Sequence, residues 1–186
     1  MSDQANGLLS GYLRKTRIRT ALPYIQAPLL DIGCGDGPLA QFFKPEEYTG
    51  IDIDTESLSL AQLKHPKHRF YSLENIPEKS SFSSIVLLAS IEHIPQPGLF
   101  LQKIKGYLKN DGKIIMTTPS PIFKNLYETG SYLRIFSRQA AEEHEGYYDL
   151  SAIKELSISV GLIIKKYQKF LFGANQLFIL ENAHAH

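Results

Sequence analysis

The 186-residue sequence contains a single cysteine, Cys34, and no tryptophan. One thiol cannot form a disulfide within the chain, and no Cys/His group has the spacing of metal ligands. The sequence also lacks an apolar run long enough to cross a membrane, and its N-terminus lacks the apolar core of a signal peptide. We therefore expect a cytoplasmic protein that binds neither a metal nor a membrane.

A surplus of charge of one sign is also missing. Lys and Arg number 20 against 19 Asp and Glu, which gives a net charge of +1. A balanced charge provides no general attraction to nucleic acid, so nucleic acid is not a favoured partner. The exception is the basic segment LRKTRIRT at residues 13–20. We interpret it as a solvated helix face. The alternative is that it binds an anionic substrate.

What the sequence does contain is an alternation of apolar runs with helix-like stretches, which is typical of an α/β protein. The predicted strands cover residues 27–33, 48–53, 69–72, 83–90 and 113–118, followed by two hairpin strands at 161–172 and 175–182. This order predicts a Rossmann-like, doubly wound sheet of about seven mostly parallel strands. The last strand is expected to be antiparallel, within a C-terminal hairpin.

The helix-like stretches complete the predicted organisation. Helices are expected at residues 8–22, 38–43, 55–64 and 149–161, and another carries its apolar face from Phe100 to Leu108 and ends at residues 110–112. The length favours one domain over residues 1–186, with a helical segment at 1–26. Residues 119–145 break the alternation and carry several aromatic side chains. We interpret this segment as an insertion over the active site.

The stretch LLDIGCGDG, residues 29–37, places Gly33, Gly35 and Gly37 directly after the first predicted strand. Glycine permits positive φ and a close approach of a ligand to the backbone, and a following helix N-terminus favours an anionic group. Asp52 ends the second strand roughly 20 residues later, where an acid accepts hydrogen bonds from ribose hydroxyls. The pattern predicts a nucleoside-containing cofactor. Pro38 stands where the dinucleotide pattern GxGxxG has its third glycine.

With this GxGxG spacing, the sequence resembles the class I S-adenosylmethionine-dependent methyltransferases. LLDIGCGDG is similar to their first motif, and YTGIDID is similar to the strand that ends in the ribose-binding acid. ENIPEKSSFSSIVLLASIEHI resembles their third and fourth segments, and LKNDGKIIMTTP resembles their fifth strand. The resemblance covers residues 27–120 and extends more loosely to the C-terminal helix and hairpin.

The resemblance also implies the roles of individual residues at the cofactor. Asp31 and the loop of residues 33–37, including Cys34, would contact the methionine part, Asp52 would hold the ribose, and Ile53 would lie against adenine. Ser72 stands where the family often has an acid for the adenine amino group, with Leu73 next to it. The remaining implied cofactor contacts, at the methyl end, are Ala89 and Ser90.

Residues at the acceptor are expected from two polar segments. In ASIEHI, residues 89–94, His93 is either a general base or a side chain that packs over the cofactor, and Glu92 is read as a helix-start acid. In EEHEGYYD, residues 142–149, His144 is a second candidate base, although this segment can also be a polar loop that caps the next helix. The side chains expected to bind the acceptor are those of Tyr127, Tyr132, Tyr147 and Tyr148.

The function implied by the resemblance is transfer of a methyl group from S-adenosylmethionine to a small-molecule acceptor, with S-adenosylhomocysteine as product. TTPS, residues 117–120, replaces the NPPY-type tetrapeptide that the family uses for amino groups of bases, which disfavours base methylation. The alternatives are an RNA or protein methyltransferase, a non-catalytic cofactor-binding module, and an NAD-dependent oxidoreductase. The sequence does not predict an oligomeric state.

Overall fold

The structure is a computed structural model and describes residues 2–76, 81–121 and 148–183, with side chains from residue 10 onward. Its helices are α1 (Ser2–Ala21), α2 (Thr55–Lys64), α3 (Pro97–Lys105) and α4 (Leu150–Ser159). Its strands are β1 (Leu29–Ile32), β2 (Tyr48–Asp52), β3 (Arg69–Ser72), β4 (Phe82–Leu88), β5 (Leu108–Pro119), β6 (Leu162–Phe170) and β7 (Asn175–Asn182).

All seven strands of the described chain form one sheet in the order β3-β2-β1-β4-β5-β7-β6. The neighbours from β3 to β5 are parallel, whereas β7 runs antiparallel to both β5 and β6. The predicted doubly wound sheet with an antiparallel last strand is therefore confirmed. The strand order reverses between β1 and β4, and ligands bind such sheets beyond the carboxyl ends of the strands at this switch point.

The central strands are apolar because helices cover both faces of the sheet. Helices α3 and α4 pack against one face of the sheet, where Leu101, Ile104 and Ile153 are fully buried. On the opposite face, Ile18 and Ala21 of α1 belong to the second buried cluster. Both faces are thus closed, and the carboxyl edge is where a ligand can reach the sheet.

Two details of the predicted elements are wrong. The predicted helix at residues 38–43 is only a single 3₁₀ turn, Ala40–Phe42. Pro45 follows closely and the residue before a proline avoids helical backbone, so the chain turns directly into β2. The predicted helix end at residues 110–112 lies inside β5, which begins at Leu108 rather than at residue 113. Pairing of Phe82 with Leu108 extends this strand across a register shift.

The insertion predicted at residues 119–145 lies largely outside the described residues. Ser120 is the first residue beyond β5, and its N–H donates to the carbonyl of Ala174 at 2.9 Å. The chain therefore leaves the sheet beside the β6–β7 turn, at the carboxyl edge. The single-domain boundary of residues 1–186 stays a prediction.

Candidate functional site

The loop of residues 33–37, the glycine loop, lies at the switch point between β1 and β4. Gly33, Gly35 and Gly37 have φ values of +71°, +53° and +76°, which side chains rarely adopt. At Gly33 the space is also closed, because a Cβ atom would lie 2.5 Å from Oγ of Ser90. That hydroxyl donates to the carbonyl of Ile32 at 3.1 Å and so joins the ends of β1 and β4.

Asp52 closes the other side of the glycine loop. Its Oδ2 accepts a hydrogen bond from the N–H of Gly35 at 2.7 Å, and its Oδ1 accepts one from the N–H of Asp54 at 3.0 Å. Each carboxylate oxygen has a second lone pair, so the group retains capacity for two further donors. The half-exposed carboxylate is therefore fixed in orientation and still available to a ligand.

A cavity of about 650 Å³ opens between the glycine loop and the segment that follows β4. This volume is within the range of cofactor pockets, which are mostly apolar with a few oriented polar groups. Six of the residues predicted to contact the cofactor line it: Gly33, Asp52, Ile53, Leu73, Ala89 and Ser90. Ala89 has a φ of +58°, a strained value for a residue with a side chain.

The lining of this cavity is suited to an adenosyl amino acid. At Gly33 a ligand can approach the backbone closely, which suits a polar amino-acid end. The oriented carboxylate of Asp52 suits a ribose, and the apolar walls at Ile53 and Leu73 suit a flat base. Asp52 would hold the ribose hydroxyls, and the glycine loop would adjoin the amino-acid end.

Asp31 lies beneath the cavity rather than in its lining. Its carboxylate is 4% exposed and accepts a hydrogen bond from the hydroxyl of Tyr48 at 2.7 Å. Burial raises the pKa of Asp31 to about 7, although the Tyr48 hydrogen bond acts in the opposite direction. A partly protonated acid therefore sits under the glycine loop at neutral pH.

Four other residues expected at the cofactor do not line the cavity. The Cys34 side chain is buried under the loop, where burial raises the pKa of its thiol and disfavours a nucleophilic thiolate. Gly35 faces Asp52, and Gly37 packs against side chains that include His65 and Phe70. Ser72 accepts a hydrogen bond from the Asn75 side chain at 2.8 Å.

Of the residues proposed at the acceptor, His93 lines the cavity and is exposed. Tyr148 is partly buried and packs against the core next to α3 and α4, and its carbonyl accepts from Nε2 of Gln176 at 2.8 Å. The remaining candidates, Tyr127, Tyr132, His144 and Tyr147, lie outside the described residues.

Sequence reasoning missed one wall of the cavity. It is formed by the segment after β4 and the first turns of α3: Ile94, Pro95, Gln96, Leu99, Phe100 and Lys103. Leu99 is 64% exposed although it is apolar. The sequence offered one signal for this wall: Leu99 is apolar and directly precedes Phe100, where the predicted apolar helix face begins.

The basic segment at residues 13–20 is not merely a solvated face. Arg14 donates to the carboxylate of Asp36 in the glycine loop at 2.7 Å, and Lys64 of α2 contacts the same carboxylate. These cations lower the pKa of Asp36, with the Lys64 hydrogen bond as the largest cause. The Nε of Arg17 donates to Oδ1 of Asn175 in β7 at 2.8 Å. The segment therefore connects α1 to the glycine loop and to the carboxyl edge.

Two classes of site are absent from the part of the chain that the structure describes. No described helix has the length and apolar character needed to cross a membrane. Within the same residues, no group of three or more His, Cys, Asp or Glu side chains is placed to hold a metal ion.

Comparisons with known proteins agree with this geometry. Residues 9–164 match the family model described as "Methyltransferase domain", which is well over half of the chain. Ubiquinone biosynthesis O-methyltransferase of Paracidovorax citrulli (strain AAC00-1) is 34% identical over 101 residues, 48% of this chain and 42% of that protein. The chain spans less than half the length of the curated relatives it matches.

Solved structures support the fold. The plantazolicin methyltransferase BpumL in complex with SAH has a TM-score of 0.70 at 15% identity, over 97% of this chain and 87% of that one. An S-adenosylmethionine-dependent methyltransferase from Mesorhizobium loti also has a TM-score of 0.70, at 14% identity, over 92% and 99% of the two chains. The solved structures thus show the fold of class I S-adenosylmethionine-dependent methyltransferases. The match over residues 9–164 confirms the expected family: the chain belongs to the methyltransferase domain family.

Proposed function

We propose that the protein transfers a methyl group from S-adenosylmethionine to a hydroxyl group of a small-molecule acceptor. The observation that carries the proposal is the cavity in which Gly33, Asp52 and Ser90 converge at the switch point. Within it, the carboxylate of Asp52 is oriented by two backbone N–H groups and would accept hydrogen bonds from the ribose hydroxyls.

When bound, the cofactor supplies an activated methyl group on a sulfonium, so the protein needs mainly to align the acceptor and exclude water. The Gly33 backbone and Asp52 would fix the cofactor's orientation. Ile53 and Leu73 would cover the base, and Ala89 and Ser90 would adjoin the methyl end. His93 also lines this cavity and would accept the proton of the acceptor hydroxyl.

A hydroxyl acceptor is supported by the curated relatives, which are named ubiquinone biosynthesis O-methyltransferases. The proposed partner is therefore a small molecule, with no membrane or nucleic acid required for the reaction. A cytoplasmic location and a single catalytic domain are part of the same proposal. The candidate residues Tyr127, Tyr132, His144 and Tyr147 belong to the segment that would cover the acceptor.

Calorimetric titration with S-adenosylhomocysteine, with NAD as the control, tests the cofactor part of the proposal. Micromolar binding of S-adenosylhomocysteine alone is expected. A screen of hydroxyl-bearing small molecules with methyl-labelled S-adenosylmethionine then tests the transfer. Binding of NAD alone contradicts the proposal, and labelling of RNA or protein but of no small molecule contradicts the proposed acceptor class.

A further inference from the structure

One wall of the cofactor cavity belongs to α3. Gln96, directly before this helix, and Leu99, Phe100 and Lys103 within it all line the cavity. Their spacing of i, i+3, i+4 and i+7 places them along one face of the helix. Leu101 is fully buried and faces the core instead. Helix α3 therefore packs against the core with one face and lines the cavity with another.

This wall adjoins the part of the cavity that would hold the base of the cofactor. The ribose at Asp52 and the amino-acid end at the glycine loop leave the base to the rest of the lining, which comprises Ile53, Leu73 and the α3 wall. Leu73 and Phe100 pack against the same buried cluster, so the turn after β3 and α3 lie on the same face of the sheet. A base that lies against Ile53 and Leu73 therefore has α3 as its neighbouring wall.

The end of β3 supplies no partner for the amino group of an adenine base. Ser72 stands where the resemblance leads one to expect an acid, but it does not line the cavity, and its Oγ accepts from the Asn75 side chain at 2.8 Å. Glu74 is exposed and is also outside the described lining. Asp52 is the only acid among the described residues of the lining, and it would hold the ribose. A side chain on another wall is therefore needed to recognise the amino group.

Five polar side chains belong to the described lining: Asp52, Ser90, His93, Gln96 and Lys103. Asp52 is assigned to the ribose and His93 to the acceptor hydroxyl, and the Ser90 hydroxyl donates to a carbonyl of β1 at 3.1 Å. A lysine ammonium can only donate, so Lys103 cannot accept a hydrogen bond from an amino group. Gln96 is exposed, and its side chain makes no capping hydrogen bond to α3. Its amide is therefore available to a ligand.

A glutamine side chain is complementary to one edge of adenine. Its oxygen accepts and its NH₂ group donates, whereas adenine places an amino donor beside a ring nitrogen that accepts. The two groups can therefore form a pair of parallel hydrogen bonds, as glutamine does when it reads adenine in nucleic acids. Leu99 and Phe100, on the same face of α3, offer apolar surface to the ring.

We propose that Gln96 recognises the adenine base of the cofactor, with its side-chain oxygen accepting from the amino group and its NH₂ group donating to the adjacent ring nitrogen. Selection of the base then depends on the segment after β4 and not on the end of β3. This inference rests on the proposed function, because it names a recognition residue for the same cofactor. It accounts both for an amide in the α3 wall and for the position of Ser72 outside the lining.

Calorimetric titration with two ligands tests the proposal. The probes are S-adenosylhomocysteine and its deamino analogue, in which a hydrogen atom replaces the amino group of the base. The wild-type protein should bind S-adenosylhomocysteine about tenfold more tightly than the analogue, because the analogue cannot form the full pair with Gln96. In Gln96→Leu, which removes the polar atoms at similar volume, this preference should fall to about twofold or less. The fall should come from weaker binding of S-adenosylhomocysteine, with the affinity for the analogue unchanged.

Gln102→Leu is the matched control, because Gln102 is exposed on the same helix but does not line the cavity. This variant should keep the wild-type preference. A wild-type protein that binds the two probes equally overturns the proposal, and so does a Gln96→Leu variant that keeps the full preference. An equal loss of affinity for both probes in Gln96→Leu would make Gln96 a packing residue of the wall and would also overturn it.

Failure of this inference is distinguishable from failure of the proposed function. A wild-type protein that binds neither probe contradicts the proposed function and, with it, the role of Gln96. Wild-type binding of S-adenosylhomocysteine with a preference that does not depend on Gln96 contradicts only the present inference.

Discussion

The backbone N–H of Gly35 donates to Oδ2 of Asp52 at 2.7 Å, so the glycine loop and the end of β2 hold each other in place. A carboxylate that is already oriented loses little freedom when a ligand binds, which favours affinity. The same hydrogen bond requires the loop to keep its left-handed backbone at Gly35. The orientation of the Asp52 carboxylate and the conformation of the loop are therefore coupled in this protein.

Asp52→Asn tests this coupling. We expect the affinity for S-adenosylhomocysteine to fall at least about tenfold, because charge-assisted hydrogen bonds to the ribose are lost. Calorimetric titration measures the change. The control is Asp54→Asn: this exposed residue caps α2 through its side chain and can still do so as asparagine, so affinity should be unchanged. Equal affinity of Asp52→Asn and the wild type would remove Asp52 from the site.

Gly33→Ala tests the close approach at the switch point. A Cβ atom there would meet the Ser90 hydroxyl at 2.5 Å on a backbone with φ of +71°, so we expect a lower Tm together with weaker cofactor binding. Gly11→Ala in α1 is the matched control, because its Cβ would meet nothing within 4 Å. Alanine favours the helix there, so the control should gain about 0.5–1 kcal/mol of stability at most. Tolerance of alanine at both positions would contradict the described loop.

The buried pair of Asp31 and Tyr48 predicts a pH dependence of stability. The folded-state pKa of Asp31 is about 7, above the unfolded value of 3.8, so between these values the folded state binds the additional proton. Its contribution to stability is therefore present below about pH 4 and is lost as pH rises to 7. One proton gives a slope of at most about 1.4 kcal/mol per pH unit.

Urea unfolding of wild type and Asp31→Asn from pH 4 to 9 measures this slope. The wild type should lose stability relative to the variant as pH rises, and the two curves should run parallel above pH 8. Tyr48→Phe removes a hydrogen bond that lowers the pKa of Asp31, so its slope should extend to higher pH. Parallel curves for wild type and Asp31→Asn throughout would show that Asp31 titrates normally.

His93→Ala tests the proposed proton acceptor once the screen has supplied an acceptor. Turnover should fall by about 10²–10⁴-fold, the usual contribution of a general base, while affinity for S-adenosylhomocysteine changes little. His65→Ala is the control, because His65 packs against the glycine loop away from the cavity lining. Unchanged turnover in His93→Ala would leave His93 as a packing residue over the cofactor.

The order of strands and the position of the ligand edge were predictable from local patterns. The apolar run of β4 reflects burial on both faces of the sheet. The start of α2 is set by the Asp54 side chain, which accepts hydrogen bonds from the N–H groups of Glu56 and Ser57. The GxGxG spacing followed by a strand-end acid also has a local cause. Gly33 and Asp52 were therefore placed correctly in the cavity lining.

The class of fold, the family and the presence of Asp52 in the cavity lining could all be predicted from the sequence alone. Three features required the tertiary structure: Asp31 and Cys34 are buried outside the cavity lining, Leu99 forms part of its wall, and His93 lines the cavity whereas Glu92 is buried outside it. Local periodicity reports which backbone conformation a segment prefers. It does not report which distant side chains meet across a sheet, because strand order and crossovers set those contacts. The hydrogen bond from Arg17 of α1 to Asn175 of β7 is the clearest case.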